Sequence, residues 1–158
     1  MGSIESINES NLQSLINSKT DAEYFYGTFK TLDYFLKHGI KTFQYILTFV
    51  GTHSFSEVWG IPPMGVCHAD DIRYLFQDNT LETVEEMDVK EFMISSWINF
   101  ATYGDPTPPG SNYSWIPSSE ANSFMNISGS NPQMMDFNPD LKSRMDFWQS
   151  LHLENEIK

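Results

Sequence analysis

The sequence predicts an α/β fold, and three consecutive segments carry this prediction. Residues 42–50 have the apolar, aromatic-rich composition of a buried strand. A long loop follows and ends at Gly65, and His68 comes three residues later. Residues 72–76 then predict a short, aromatic-rich helix. Strand, loop, histidine and short helix in this order is a common way for an α/β enzyme to hold an imidazole above the carboxyl end of its sheet.

The elements before the histidine are a polar segment, a helix and the strand. Residues 1–19 are rich in Ser and Asn and are expected to form a surface segment or a frayed start. From residue 20 to 38 apolar side chains recur every three or four positions, which predicts one face of a helix that ends at Gly39. In the strand, alternate residues form one apolar face: Phe43, Tyr45, Leu47 and Phe49.

The second face of the strand is partly apolar because it carries Ile46 and Val50, as expected for a strand covered on both sides. Residues 51–64 contain two Gly and two Pro and predict a loop. We interpret His53, Glu57 and Trp59 as ordinary residues of this loop.

Two further helices are predicted in the second half of the chain. Residues 78–88 are acidic and predict a solvated connection, after which Asp88 is expected to cap a helix that ends at Gly104. Residues 105–110 carry three prolines and predict a rigid turn, and short strands or a hairpin are expected around residues 115, 124–127 and 134–137. Asn138 and Pro139 are typical of the start of a helix, whose apolar face contains Leu141, Met145, Trp148 and Leu151.

The composition excludes several kinds of partner. The chain has 158 residues, enough for one domain, and a formal net charge of −12 from 21 acidic and 9 basic residues. Nucleic acid and anionic membranes are bound by clustered Lys and Arg, so neither is an expected partner. The sequence has no metal-ligand cluster and no phosphate-binding glycine loop, so no metal and no cofactor are expected.

Targeting signals are few. The sequence has no run of the ~18 apolar residues that span a membrane, and its first residues lack the apolar core of a signal peptide. Three N-x-[ST] sequons, at Asn8, Asn112 and Asn126, are compatible with a secreted parent protein.

Cys67 is the only cysteine and stands beside His68. Adjacent side chains seldom hydrogen-bond to each other, so we interpret Cys67 as a packing residue rather than a nucleophile.

Three sequence blocks, in order, resemble those of one enzyme family. They are GVCHADDIRYLF at residues 65–76, WINFATYGDP at residues 97–106 and WIP at residues 115–117. These blocks resemble the catalytic-histidine segment, the W-x-NFA-x-x-G-[ND]-P block and the W-x-P block of the type-B carboxylesterases. This is the α/β-hydrolase family that includes juvenile hormone esterases and cholinesterases. Residues 146–148 resemble its terminal helix, so the resemblance covers about residues 24–151.

The resemblance implies that residues 20–158 are the C-terminal part of a carboxylesterase, with the last strand or strands of the sheet and the flanking helices. The family's serine lies in a G-x-S-x-G elbow and its triad acid on an earlier strand, and no such elbow occurs here. His68 would then be the general base and acid of a serine esterase, since imidazole titrates near neutrality. Asp70 and Asp71 are expected only to begin the following helix.

In this interpretation the chain needs the missing N-terminal part of the same enzyme as its partner. It would act with that part on small apolar carboxylic esters, and alone it would be inactive. Two alternatives remain open. One is a non-catalytic relative, an esterase-like binding or adhesion protein. The other is an interaction module that functions by itself, which would leave a strand edge and an apolar face uncovered.

Overall fold

The computed structural model describes residues 9–62, 64–76, 81–111 and 113–151. In chain order the elements are α1 (Glu9–Thr20), a π-helical turn (Asp21–Phe25), α2 (Tyr26–Lys37), β1 (Tyr45–Leu47), a 3₁₀ turn (Phe55–Trp59), α3 (Asp70–Phe76), α4 (Val84–Tyr103), β2 (Ser123–Ile127), β3 (Gln133–Asp136) and α5 (Pro139–Ser150). The chain divides into two compact units, one of Met1–Ile40 with Phe137–Lys158 and one of Lys41–Asp136. The boundary expected at residue 19 stays a prediction.

The first unit is built from helices. The helix expected over residues 20–38 is confirmed, and Gly39, with φ of 69°, follows its last turn as predicted. The polar segment before it is also helical from Glu9 onward, although most of its described side chains are exposed, as a surface segment would be. Asn138 caps α5 by accepting a hydrogen bond of 2.7 Å from the Leu141 N–H, which confirms the predicted helix start.

A partly buried ion pair joins two helical segments of this unit. Asp21 is only 2% exposed and lies in the π-helical turn. The Arg144 guanidinium, on α5, donates to both of its carboxylate oxygens, at 2.6 and 2.8 Å. A bidentate pair of this kind fixes the angle of the side chains as well as their distance.

The second unit contains a three-stranded sheet in the order β1-β2-β3. β1 pairs with β2 in parallel, with Tyr45 opposite Met125, and β3 pairs with β2 in the antiparallel sense. The predicted strand over residues 42–50 is shorter than expected. The Thr48 and Phe49 N–H groups both donate to the Ile127 carbonyl, at 2.9 and 3.0 Å, and this shared acceptor ends the regular ladder.

One face of the β1 segment contacts the core of this unit. The four alternating residues predicted to share a face, Phe43, Tyr45, Leu47 and Phe49, pack against a buried cluster of Tyr74, Val89, Phe92, Met93, Trp115, Met125 and Ile127. The predicted apolar face is therefore confirmed. On the other face, Ile46 is half-buried and Val50 is 54% exposed.

The start of α4 differs from the prediction. Asp88 does not cap this helix; it lies inside it and is exposed. The cap is Thr83, whose hydroxyl accepts from the Glu86 N–H at 3.1 Å, while the Glu86 carboxylate accepts from the Thr83 N–H at 2.8 Å. This reciprocal pair is a capping box. Gly104, with φ of 70°, follows the last residue of α4 as predicted.

Of the three predicted sequons, Asn8 and Asn112 lie outside the described residues. Asn126 lies in β2, between β1 and β3, and its side-chain oxygen accepts from the Thr48 hydroxyl at 2.6 Å. Among the helices that the structure describes, none has the length and apolar character to cross a membrane.

Candidate active site

His68 lies at an exposed turn between the loop after β1 and helix α3. The Asp70 N–H donates to the Cys67 carbonyl at 3.1 Å, which closes a four-residue turn with His68 and Ala69 at its centre. Ala69 has φ of 76°, the left-handed region, and is the only non-glycine residue with a positive φ in the described part of the chain. A positive φ at the third position of the turn, without one at the second, is the signature of a type II turn.

The two acids after His68 begin α3, as predicted, and each has a different partner. Asp70 is 6% exposed and accepts from the Ser54 hydroxyl, the Phe55 N–H and the Cys67 N–H. Asp71 accepts from the Tyr45 hydroxyl at 2.7 Å. Burial raises the pKa of that tyrosine, and the hydrogen bond to Asp71 raises it further.

A second buried carboxylate, Glu86, holds the beginning of the loop after β1. It is 2% exposed and accepts from the Thr52 N–H at 2.9 Å, and also from the N–H groups of Glu82 and Thr83. Burial by itself would raise the pKa of Glu86, but these hydrogen bonds outweigh it and lower the pKa to about 2. Glu86 is therefore a buried carboxylate that stays charged.

Gly51, beside this carboxylate, cannot be replaced without a rearrangement. A Cβ atom at this position would lie 2.5 Å from the Tyr74 hydroxyl and 2.9 Å from the Glu86 Oε1 atom. Both distances are shorter than a van der Waals contact, so the approach of this loop to Glu86 requires glycine.

His53, interpreted as an ordinary loop residue, connects two parts of this unit. Its Nδ1 atom lies 3.1 Å from Glu57 Oε2, and its Nε2 atom lies 3.3 Å from Glu82 Oε1, just before α4. Hydrogen bonds to Glu57 and Glu82 raise the pKa of His53. Among the residues that the structure describes, no group of His, Cys, Asp and Glu is arranged to hold a metal ion.

Cys67 fits the packing interpretation. It is a free, half-buried thiol. Burial raises its pKa, and the nearby negative charge of Asp70 raises it further. Because the thiolate is the nucleophile, a raised pKa makes the Cys67 sulfur less reactive at neutral pH.

The geometry gives an exposed imidazole on a turn whose flanking backbone is fixed by hydrogen bonds. Such a group can exchange a proton with a reactant brought to it from another part of a protein. A shallow groove also runs along α4 and ends at Pro108 and Pro109, but no residue of the turn lines it.

The sequence interpretation missed Glu86, although the T-x-x-E pattern at residues 83–86 is a known start signal for a helix.

The sequence model of the carboxylesterase family matches residues 4–148. The chain belongs to the carboxylesterase family. It is similar to the juvenile hormone esterase of Tribolium castaneum, with 29% identity over 119 residues, which are 68% of this chain and 20% of that protein. This carboxylesterase chain therefore spans about a fifth of the length of that curated relative.

Solved structures of other carboxylesterases have a similar fold. The juvenile hormone esterase of Manduca sexta matches with a TM-score of 0.59 and 21% identity, over 72% of this chain and 23% of that one. The carboxylesterase of Geobacillus stearothermophilus matches with a TM-score of 0.65 and 16% identity, over 91% and 29%. At these identities the likeness concerns the fold alone. The α/β fold predicted from the sequence, as part of an α/β-hydrolase, is confirmed.

Proposed function

We propose that this chain supplies the catalytic histidine, His68, of a serine carboxylesterase. The nucleophilic serine and the triad acid would belong to the N-terminal part of the same enzyme. One observation supports this proposal most directly: an exposed histidine stands on a turn that is tied by hydrogen bonds on both sides. Membership of the carboxylesterase family adds the chemistry, since esters are what this family is named for.

In the first half of the reaction, His68 would remove the proton from the serine hydroxyl as the oxygen attacks the ester carbonyl. The tetrahedral intermediate would be stabilised by backbone N–H groups in the other part of the enzyme. The resulting imidazolium then gives its proton to the leaving alcohol, and the acyl group stays on the serine. In the second half, His68 activates a water molecule, and the same proton path releases the acid.

The substrates we propose are small apolar carboxylic esters. The relatives named as juvenile hormone esterases support an ester substrate, and the Manduca sexta structure has OTFP covalently attached, as expected for a nucleophilic mechanism. We also propose that the parent enzyme is secreted. Asn126, being held within the sheet, adds nothing to that proposal.

Complementation tests this function. The chain is mixed with a separately expressed N-terminal part of the parent enzyme that contains its serine elbow, and hydrolysis of p-nitrophenyl butyrate is measured. We expect no turnover by the chain alone and turnover by the mixture. His68→Ala should reduce that turnover by about 10⁴-fold or more, because one member of a catalytic triad is lost.

His38→Ala is the matched control, since His38 is also an exposed histidine but caps α2. It should leave turnover unchanged. Turnover that survives His68→Ala would refute the catalytic role. Turnover that is absent although both parts are folded and associated would favour a non-catalytic, esterase-like binding protein.

A further inference from the structure

Asp70 is a buried carboxylate that accepts hydrogen bonds from neutral donors, a hydroxyl and two backbone N–H groups. It is 6% exposed, and both carboxylate oxygens are occupied. Oδ1 accepts from the Phe55 N–H at 2.6 Å and from the Ser54 hydroxyl at 3.0 Å. Oδ2 accepts from the Cys67 N–H at 2.7 Å and from the same hydroxyl at 3.1 Å. A buried carboxylate is tolerated when several donors satisfy it in this way.

These donors come from two separate places in the chain, and Asp70 connects them. Ser54 and Phe55 lie at the start of the 3₁₀ turn, 15 to 16 residues before Asp70. Cys67 is the residue immediately before His68. The carboxylate therefore ties the backbone on the N-terminal side of the histidine to the loop that follows β1.

The backbone on the other side of His68 is held by the same residue. The Asp70 N–H donates to the Cys67 carbonyl at 3.1 Å, so Asp70 both donates to Cys67 and accepts from it. Between them Ala69 has φ of 76°, a conformation that an alanine adopts only when its surroundings impose it. Ala69 lies between the two residues that these paired hydrogen bonds join.

We propose that Asp70 is the positioning residue of His68. Its buried carboxylate holds the type II turn that fixes the direction in which the imidazole leaves the backbone. Asp70 is not the triad acid in this proposal, since Ser54, Phe55 and Cys67 occupy its oxygens. The catalytic meaning of this role rests on the function proposed above, but the control of the turn by the carboxylate does not.

The test uses the ¹⁵N-labelled 158-residue chain and compares Asp70→Asn with Asp71→Asn. Both variants lose one negative charge at the start of α3 and one side-chain acceptor, but only Asp70 contacts the turn. Three quantities are measured by NMR well below the melting temperature. They are amide hydrogen exchange at Phe55 and Cys67, the heteronuclear NOE at His68, and the strong intraresidue HN–Hα cross-peak that a positive φ gives at Ala69.

In Asp70→Asn we expect about tenfold or faster exchange at both amides, a lower NOE at His68 and loss of the positive-φ signal at Ala69. In Asp71→Asn all three should match the unmodified chain. If Asp70→Asn lowers the melting temperature but leaves the three signals unchanged, the residue is merely structural and the proposal is overturned.

If Asp70→Asn does not fold, Asp70→Glu takes its place, since it keeps the negative charge but displaces the carboxylate from the Cys67 N–H. Altered signals at residues 68 and 69 would then support the proposal, and unaltered signals would overturn it. In the complemented enzyme, Asp70→Asn should lower kcat by about 10²-fold with little change in KM, because a misplaced base slows chemistry rather than binding. A change confined to KM would contradict positioning.

The two proposals fail in different ways. An inactive mixture that contains the unmodified chain contradicts the esterase function, whereas the NMR comparison still decides whether Asp70 controls the turn. Conversely, an active mixture with an unchanged turn in Asp70→Asn supports the esterase function and overturns the role of Asp70.

Discussion

Replacing Glu86 with glutamine should destabilise this protein by about 3 kcal/mol at neutral pH. The pKa of this buried carboxyl falls from 4.5 to about 2, because the hydrogen bonds from the backbone of Thr52, Glu82 and Thr83 outweigh the effect of burial. A shift of that size corresponds to about 3 kcal/mol of stability. Glutamine has nearly the same shape, but it has one acceptor oxygen, and its amide N–H₂ would face groups that are themselves donors.

The stability that Glu86→Gln loses should depend on pH in a defined way. A carboxyl group whose pKa is lower in the folded state stabilises that state fully above its unfolded-state pKa, and the contribution disappears as the pH falls through the folded-state pKa. For Glu86 this window runs from 4.5 down to about 2. The difference in unfolding free energy between the unmodified chain and Glu86→Gln should be constant near neutrality and shrink steadily across this acidic window.

Urea unfolding followed by tryptophan fluorescence measures both effects, since Trp115 is buried in the core cluster of this unit. Glu85→Gln is the control. Glu85 also lies in the first turn of α4 and interacts with the same helix dipole, but it is exposed. Removing the negative charge of Glu85 should lower the unfolding free energy by about 0.5 kcal/mol. If the two variants were equally stable at pH 7, or if Glu86→Gln kept the pH slope of the unmodified chain, the assignment of the stabilisation to this carboxylate would be wrong.

Three other expectations follow from particular contacts. Ala69→Gly should raise the unfolding free energy by about 0.5–1 kcal/mol in urea titrations, because glycine adopts φ of 76° without steric cost; a decrease would contradict the strain at this residue. Asp21→Asn should cost about 1–2 kcal/mol because it weakens the bidentate, charge-assisted hydrogen bonds to the Arg144 guanidinium, whose side chain is 35% exposed to water, whereas Asp33→Asn, in an exposed pair, should cost less than about 0.5 kcal/mol in the same assay. His53→Gln should destabilise the protein more at pH 5.5 than at pH 8.5 in the same urea assay. A raised pKa of His53 gives stability that is complete below the unfolded-state pKa, ~6.5, and is lost as the pH rises through the folded-state pKa. Equal losses of stability at both pH values would exclude the contribution of its glutamate neighbours.

The parts of the fold that the sequence predicted correctly depend on local signals. The period of the apolar residues in α2, the alternation along β1 and the Asn-Pro pair before α5 are each contained within a few residues, and each predicted element is present. The start of α4 was also encoded locally, in Thr83 and Glu86. It was assigned instead to Asp88, because an acidic residue directly before an apolar run looks like a cap on its own.

The remaining features depend on residues far apart in the chain. The end of β1 is set by where Thr48 and Phe49 meet Ile127, and no pattern within residues 42–50 contains that information. The contact between Ser54 and Asp70 spans 16 residues and needs the loop to fold back on itself. Sequence patterns could place His68 between a loop and a helix, but the turn that carries it and the groups that hold this turn could be identified only from the structure.

The parallel pairing of β1 with β2 also bears on how this protein folds. The hydrogen bond between Thr48 and Asn126 joins residues 78 positions apart, whereas β2 and β3 are separated by a short turn. Closing the larger loop costs more chain entropy, so we expect the β2–β3 hairpin and helix α4 to form before β1 pairs with β2. During synthesis on the ribosome, β1 emerges well before β2. The pairing of these two strands, and the packing that depends on it, must therefore wait until residues 123–127 have been made.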